Sequence, residues 1–371
     1  MRLRILLIPI AVLVMAQGCD DAPESAPAPK PAPEAPAAEP ADPPAPKITL
    51  RSGMRDRAQK VFGSLPDAEP TESEESTEAK IALGRLLFFD PRLSKNHDIS
   101  CNSCHGLATF GVDGEPTSPG HKGQRGDRNS PTVYNAALHV AQFWDGRSPD
   151  VEDQAKGPVL NPIEMAMPSE EATVAVLKSI PGYAELFAAA FPDGEDPITY
   201  DNMARAIGAF ERRLITADRF DAFTSGQDEA LSDEELAGLS LFMSTGCIAC
   251  HSGPTIGGSL YRKLGLVRPY ETEDPGRVNV TNDEADRSVF KVPSLRNIAM
   301  TGPYFHDGSI ESLDEAIRLM SSHQLGVDIA DDQVASIAAF LGTLTGTVDP
   351  EYIAEPELPE SGPDTPAPDP S

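Results

Sequence analysis

Apolar and polar positions alternate at helical rather than strand spacing through most of the chain. Between residues 78 and 89 the apolar positions Ile81, Leu83, Leu86, Leu87 and Phe88 recur on one helical face. Further segments begin at side chains suited to cap a helix: Ser169 before EEATVAVLKSI and Thr199 before YDNMARAIGAFERRLI. Ser232 with Glu235, and Ser312 with Glu315, have capping-box spacing before LAGLSLFMST and AIRLMSS. Asp331 and Asp332 open QVASIAAFLGTL. Sustained period-2 runs are missing, so the class expected is mainly α with long loops.

The two ends read differently. Met1-Arg2-Leu3-Arg4 and the run ILLIPIAVLVMA form a charged n-region and a short apolar h-region. That run is too short to span a bilayer, and it ends at Ala16-Gln17-Gly18-Cys19, which resembles a lipoprotein cleavage box. Residues 1–19 are thus expected to be a lipoprotein-type signal, with a periplasmic protein tethered to a membrane only through a lipid on Cys19. Residues 20–75 are expected to be a Pro/Ala/Glu-rich linker. Residues 346–371 are expected to be a disordered acidic tail.

Between these ends the sequence repeats itself. LGRLLFFDPRLSKNHDISCNSCH and LSLFMSTGCIACH each run a Leu/Phe-rich helix into a CxxCH pentapeptide. Downstream, PTVYNAALHVAQFWDG (131–146) and PSLRNIAMTGPYFHDG (293–308) share Pro, Asn, Ala, Phe, Asp and Gly at the same offsets. In that register Trp144, the only tryptophan, falls on His306. Two related halves are therefore expected, 76–215 and 216–345, each organised around one pentapeptide.

CxxCH attaches haem c through two thioether bonds and offers the following histidine to the iron. Two Cys–His pairs could hold zinc instead, but the helix before each pair and the export signal favour haem. Cys101, Cys104 and His105 would hold one haem, and Cys247, Cys250 and His251 the other. The fifth cysteine is Cys19, which leaves none for a disulfide. The second axial ligands are open on this reasoning, with His97, His121, His139, His306, His323 and nine methionines as candidates. The formal net charge of −28 argues against nucleic acid as a partner and suits a basic protein or plain solubility.

From about Leu83 to Thr345 the chain resembles the bacterial dihaem cytochrome c peroxidases. LGRLLFFDPRLS, SCNSCH, PTSPGH, RNSPTVYNA, QFWDGR, QAKGPVLNPIEM, GCIACHSG, VPSLRNIAMTGPYFHDG and LDEAIRLMSSHQLG carry the resemblance. It implies two cytochrome c-like domains, an N-terminal peroxidatic haem and a C-terminal electron-transfer haem. It makes His121 the second ligand of the first haem and Met320 that of the second. Trp144 would lie between the haems, Glu164 would be the distal acid–base carboxylate, and Gln154 a polar residue nearby. Asn129, with the carbonyls of Thr301 and Pro303, would form a calcium site between the halves. The function implied is reduction of hydrogen peroxide to water with electrons from a small cytochrome c or cupredoxin, in a protein whose relatives are commonly homodimers.

Elementary chemistry agrees with these roles. Methionine ligation raises a haem potential and bis-histidine ligation lowers it. Peroxide needs an open iron, so His121 would have to leave, and Gly120, Gly123 and Gly126 make its loop pliable. Glu311 and Gly123 depart from residues found in some relatives. The alternatives are a dihaem electron-transfer protein and a maturase-like oxidase of a protein substrate. The related methylamine-utilisation maturases lack the loop histidine and use tyrosine where this chain has Met320.

Overall fold

The computed structural model describes residues 45–66 and 77–371, with side chains from Arg51 onward. The expected signal, the cysteine at position 19 and most of the proline tract lie outside the described residues. The helices are α1 Ala45–Phe62, α2 Glu78–Phe89, α3 Cys101–Cys104, α4 Val151–Leu160, α5 Glu170–Ser179, α6 Pro181–Ala190 and α7 Tyr200–Glu211. They continue as α8 Arg219–Thr224, α9 Asp233–Thr245, α10 Val278–Thr281, α11 Leu313–Leu325, α12 Asp331–Gly342 and α13 Pro350–Ile353. Among the described residues the only sheet is a short antiparallel pair, β1 Tyr261–Lys263 and β2 Val289–Lys291, with Arg262 opposite Phe290. The mainly α class follows, and the caps at Ser169, Thr199, Ser232 and Ser312 are each made by the side chain expected.

Two apolar clusters organise these elements. In the first, α2 packs on α7, burying Leu83, Leu87 and Phe88 with Ile207 and Phe210, while α6 adds Tyr183 and Phe187. In the second, α9 packs on α12, burying Leu239 and Phe242 with Ile337 and Phe340. Each crossing turns on a glycine where the backbones meet. A Cβ at Gly84 would fall inside contact distance of the Ala206 carbonyl, and one at Gly238 inside that of Ser336. The next atom met is the Cβ of Phe210 in one case and of Phe340 in the other, both at 3.0 Å.

The stretches 131–146 and 293–308 also share a backbone course. Asn135 and Asn297 are left-handed (φ 62° and 61°), as are Phe143 and Phe305 (64° and 68°) and Gly146 and Gly308 (67° and 64°). Both asparagines donate from Nδ2 to the hydroxyl of Thr216, at 2.8 and 3.0 Å. This buried junction was not foreseen from the sequence, because threonine carries no pattern signal on its own.

Two expectations need correction. Part of the 20–75 linker is the helix α1, whose Ala58 and Phe62 are buried in the second cluster, with Met54 and Val61 packed against it. Arg51 donates to the carbonyls of Asp228 and Leu231 at 2.8 Å, fastening α1 to the segment before α9. The 346–371 stretch is not a free tail. It forms α13, then an extended strap lying against elements of the first cluster. Tyr352 stacks on Phe210 and donates to its carbonyl at 2.9 Å. Arg92 donates to the Pro359 carbonyl at 2.8 Å, and Lys95 pairs with Asp369 at 3.5 Å. The proline-rich composition was read as disorder, yet proline costs little to hold extended, and arginine donors meet the strap's free carbonyls.

Candidate active site

The first pentapeptide forms α3, begun at Ser100, whose backbone N–H donates to the Ser103 hydroxyl at 3.0 Å. Asn102 Oδ1 accepts from the Leu107 N–H at 3.0 Å and closes the turn beyond His105. His105 is enclosed, and burial lowers its basicity, so it is held as neutral imidazole, the form that ligates a metal. In the second pentapeptide the half-buried His251 ring is desolvated by its surroundings, which takes its pKa down to about 4. Its Nδ1 donates to the Ile256 carbonyl at 3.2 Å, and this leaves Nε2 as the nitrogen with a free lone pair.

A cavity of about 240 Å³ opens beside Cys247, Cys250 and His251. Its walls include Phe242, Leu264, Ile317 and Leu341, and Met320 on α11 also lines it. The thiols, a neutral histidine and a thioether around an apolar space fit a haem c with His and Met ligands. Other candidates in or near this wall have partners of their own. His306 meets the Thr272 hydroxyl at 2.8 Å, and His323 Nδ1 lies 3.1 Å from the Arg268 carbonyl.

Trp144 lines the same cavity. Its indole N–H donates to the Asn129 carbonyl at 2.9 Å, and its ring meets His306 edge-on at 6.5 Å. Asn129, Thr301 and Pro303 also line this cavity, so the three calcium candidates are brought to one region. Asn129 donates its amide to the Glu115 carbonyl at 3.0 Å. Among the described residues no group of three or more His, Cys, Asp or Glu side chains is placed to hold a metal ion.

Glu164 belongs to a second, polar cavity of about 370 Å³, with Phe143, Arg147, Asn161 and Tyr200 in its wall. Burial raises the carboxyl's pKa, while Arg147 and the Asn161 amide, which donates to Oε1 at 3.0 Å, work against that rise. A carboxyl pushed up by burial and held back by these two partners is suited to take up and release a proton. Gln154 lies on α4, half-buried, and lines neither cavity.

His121 is also outside both cavities. It is 5% exposed, and its Nε2 lies 3.2 Å from the backbone oxygen of Ser371 on the strap. That oxygen can only accept, so Nε2 carries the proton here and has no lone pair for a metal. The loop that bears His121 is tied to the catalytic candidate, since the His121 N–H donates to the Glu164 carbonyl at 2.7 Å. Gly120 makes this possible, because any Cβ there would meet the Ile163 carbonyl.

Arg296 and Arg128 were not anticipated from the sequence. Arg296 is fully buried and donates to Asp218 and Asp221 at 2.5 and 2.6 Å. Arg128 spans Asp145 and Asp274, both at 2.6 Å, next to Trp144. Only the structure reveals such long-range pairs.

These features define a c-type dihaem fold with one polar and one apolar centre. The model of the family described as di-haem cytochrome c peroxidase matches residues 78–229. Cytochrome c551 peroxidase of Nitrosomonas europaea is 46% identical over 323 residues, covering 86% of this chain and 95% of that protein. Cytochrome c551 peroxidase of Pseudomonas aeruginosa is 43% identical over 332 residues, covering 87% and 95%. The methylamine utilization protein MauG of Methylorubrum extorquens is 34% identical over 306 residues, covering 79% and 84%. Among solved structures, a MauG-like protein associated with microbial copper homeostasis matches with TM-score 0.68 and 29% identity, over 82% of this chain and 98% of that one. The chain belongs to the di-haem cytochrome c peroxidase family, and it is an oxidoreductase of the peroxidase type.

Proposed function

We propose that the protein reduces hydrogen peroxide to two waters, consuming two electrons and two protons, at the centre formed by Cys101, Cys104, His105 and Glu164. The observation that carries this reading is the half-buried Glu164 carboxyl in a polar cavity, with its pKa raised by burial and Asn161 and Arg147 beside it. A bound haem supplies the electrons and the iron that takes peroxide. Glu164 accepts the proton from one peroxide oxygen and returns it to the other as the O–O bond breaks. Arg147 favours the ionised carboxylate in between, and the Asn161 amide aims Oε1.

Met320 and His251 would hold the second haem, and methionine ligation would raise its potential and suit it to receive electrons. Trp144 stands in the wall of that cavity and provides a path toward the first centre. The electron donor is a small cytochrome c or a cupredoxin, met at the C-terminal half. His121 would be the internal ligand of the first haem, and its loop would have to give way for peroxide to reach that site. Gln154 supports the distal side from α4. Asn129, Thr301 and Pro303 hold calcium between halves 76–215 and 216–345, which descend from one duplicated unit. The matched glycine crossings and left-handed positions support that descent. The protein is periplasmic, lipid-tethered and a homodimer.

Oxidised wild type and His121→Gly, mixed rapidly with peroxide, test the central gate. The variant should react at once, and wild type only after one-electron reduction. If Glu164→Gln retains wild-type turnover in the same assay, the acid–base assignment is lost.

A further inference from the structure

The cavity beside Cys247, Cys250 and Met320 is lined by no aspartate or glutamate, in a chain that carries 58 of them. Its cations are Arg262 and Lys291. Arg262 donates to the neighbouring Tyr261 carbonyl at 3.1 Å. Lys291 is only 7% exposed, and its Nζ meets Nδ1 of His139 at 3.3 Å. Among the described residues no carboxylate pairs with it. An ammonium has no lone pair, so His139 accepts at Nδ1 and its own proton sits on Nε2. That Nε2 is buried and meets no partner. Lys291 and His139 thus form a chain of N–H donors in the cavity wall that ends at a buried His139 Nε2–H without an acceptor, which is unfavourable unless an anion arrives. Burial pulls the ammonium down to about 8, as expected of a lysine without a counter-charge.

We propose that Lys291 and His139 form an anion-binding corner that takes a carboxylate arm of the haem held by Cys247 and Cys250. Haem is an apolar ring with two carboxylates at one edge, so it answers both the apolar walls and the donor corner. The inference rests on the haem-binding reading of this cavity. Lys291 also fixes Trp144, because its backbone N–H donates to the Trp144 carbonyl at 2.7 Å. It is therefore a positioning residue that joins the ring edge to the tryptophan. By neutralising a carboxylate near the iron, it favours the reduced state.

The test uses the mature protein, with haem counted first in each variant. Lys291→Met should lower the midpoint of the C-terminal haem by about tenfold in its reduction equilibrium, about 59 mV for one electron. The N-terminal haem should move less, and Lys291→Arg should restore most of the loss. Carboxylate bands in the redox infrared difference spectrum should shift in Lys291→Met. With both haems bound, an unchanged midpoint and unchanged carboxylate bands overturn the corner. If Lys291→Met does not load its second haem, His139→Leu carries the infrared comparison, and carboxylate bands identical to wild type then overturn the corner. A wild-type chain with no haem on Cys247 and Cys250 would instead overturn the underlying reading of the cavity.

Discussion

The two cavities differ in what their walls offer, although Phe143 lines both. Around Glu164 the wall carries Arg147, Asp153, Lys156, Asn161 and Glu170, groups able to exchange protons and bind water. Around Met320 the wall is mostly apolar, with the cations Arg262 and Lys291 but without a single acid. A reaction that breaks an O–O bond needs proton traffic, whereas moving an electron is helped by a dry site that reorganises little. The side chains around each cavity thus suit it to a different kind of step.

The largest expected effect comes from taking proton traffic away from the polar side. Glu164→Gln should lower peroxide turnover by about 10²–10⁴, the usual contribution of a positioned acid–base group. The burial-raised pKa adds a pH signature: Glu164 must be ionised to accept a proton, so turnover falls as pH drops through that pKa. This acid limb should lie above pH 4.5, the group's ordinary value, and disappear in the variant. An acid limb that survives in Glu164→Gln would assign the titration to another group.

Next comes the apolar side. Met320→Ala should lower the C-terminal haem potential and slow donor-driven turnover about tenfold or more, leaving peroxide binding at the other centre largely intact. Spectroelectrochemistry and stopped-flow mixing would separate the two. Equal loss at both centres would mean that the division of labour is wrong.

A smaller effect tests whether the halves are built alike. Gly84→Ala and Gly238→Ala each force a methyl into a backbone contact and should cost about 1–3 kcal/mol. Thermal unfolding should show similar losses for the two. A large cost at one glycine and none at the other would show that the crossings are not equivalent. The smallest effect is expected at the strap. Removing residues 367–371 takes away the Ser371 partner of His121, and limited proteolysis should then cut faster within 117–128. Unchanged cutting would show that the strap does not hold the loop.

Most helices and both pentapeptides were legible because their signals are local: a capping side chain, a period of apolar residues, a CxxCH. Glu164, His121 and Met320 could be named only through resemblance, since a glutamate before a methionine or a histidine after a glycine has no meaning in isolation. The helix α1 was masked by the proline tract before it, although Met54, Ala58, Val61 and Phe62 follow a helical face. The strap was missed because its order comes from donors far away in sequence, Arg92, Lys95 and Arg85. Thr216, Arg296 and Lys291 act through partners that folding alone brings near.

The strap and α1 together interleave the chain. The α1 helix comes before the first half in sequence but is buried with the second, and the strap follows the second half but lies on the first. The first cluster is complete only once the strap has been made, and the second only once α12 has joined α1. During synthesis α1 must wait for α8, α9 and α12, and the surface around Arg92 and Lys95 must wait for residues 359–371. A cut between residues 215 and 216 would give two pieces, each holding a segment that belongs to the other. Recombining the pieces should therefore recover more structure than either shows alone.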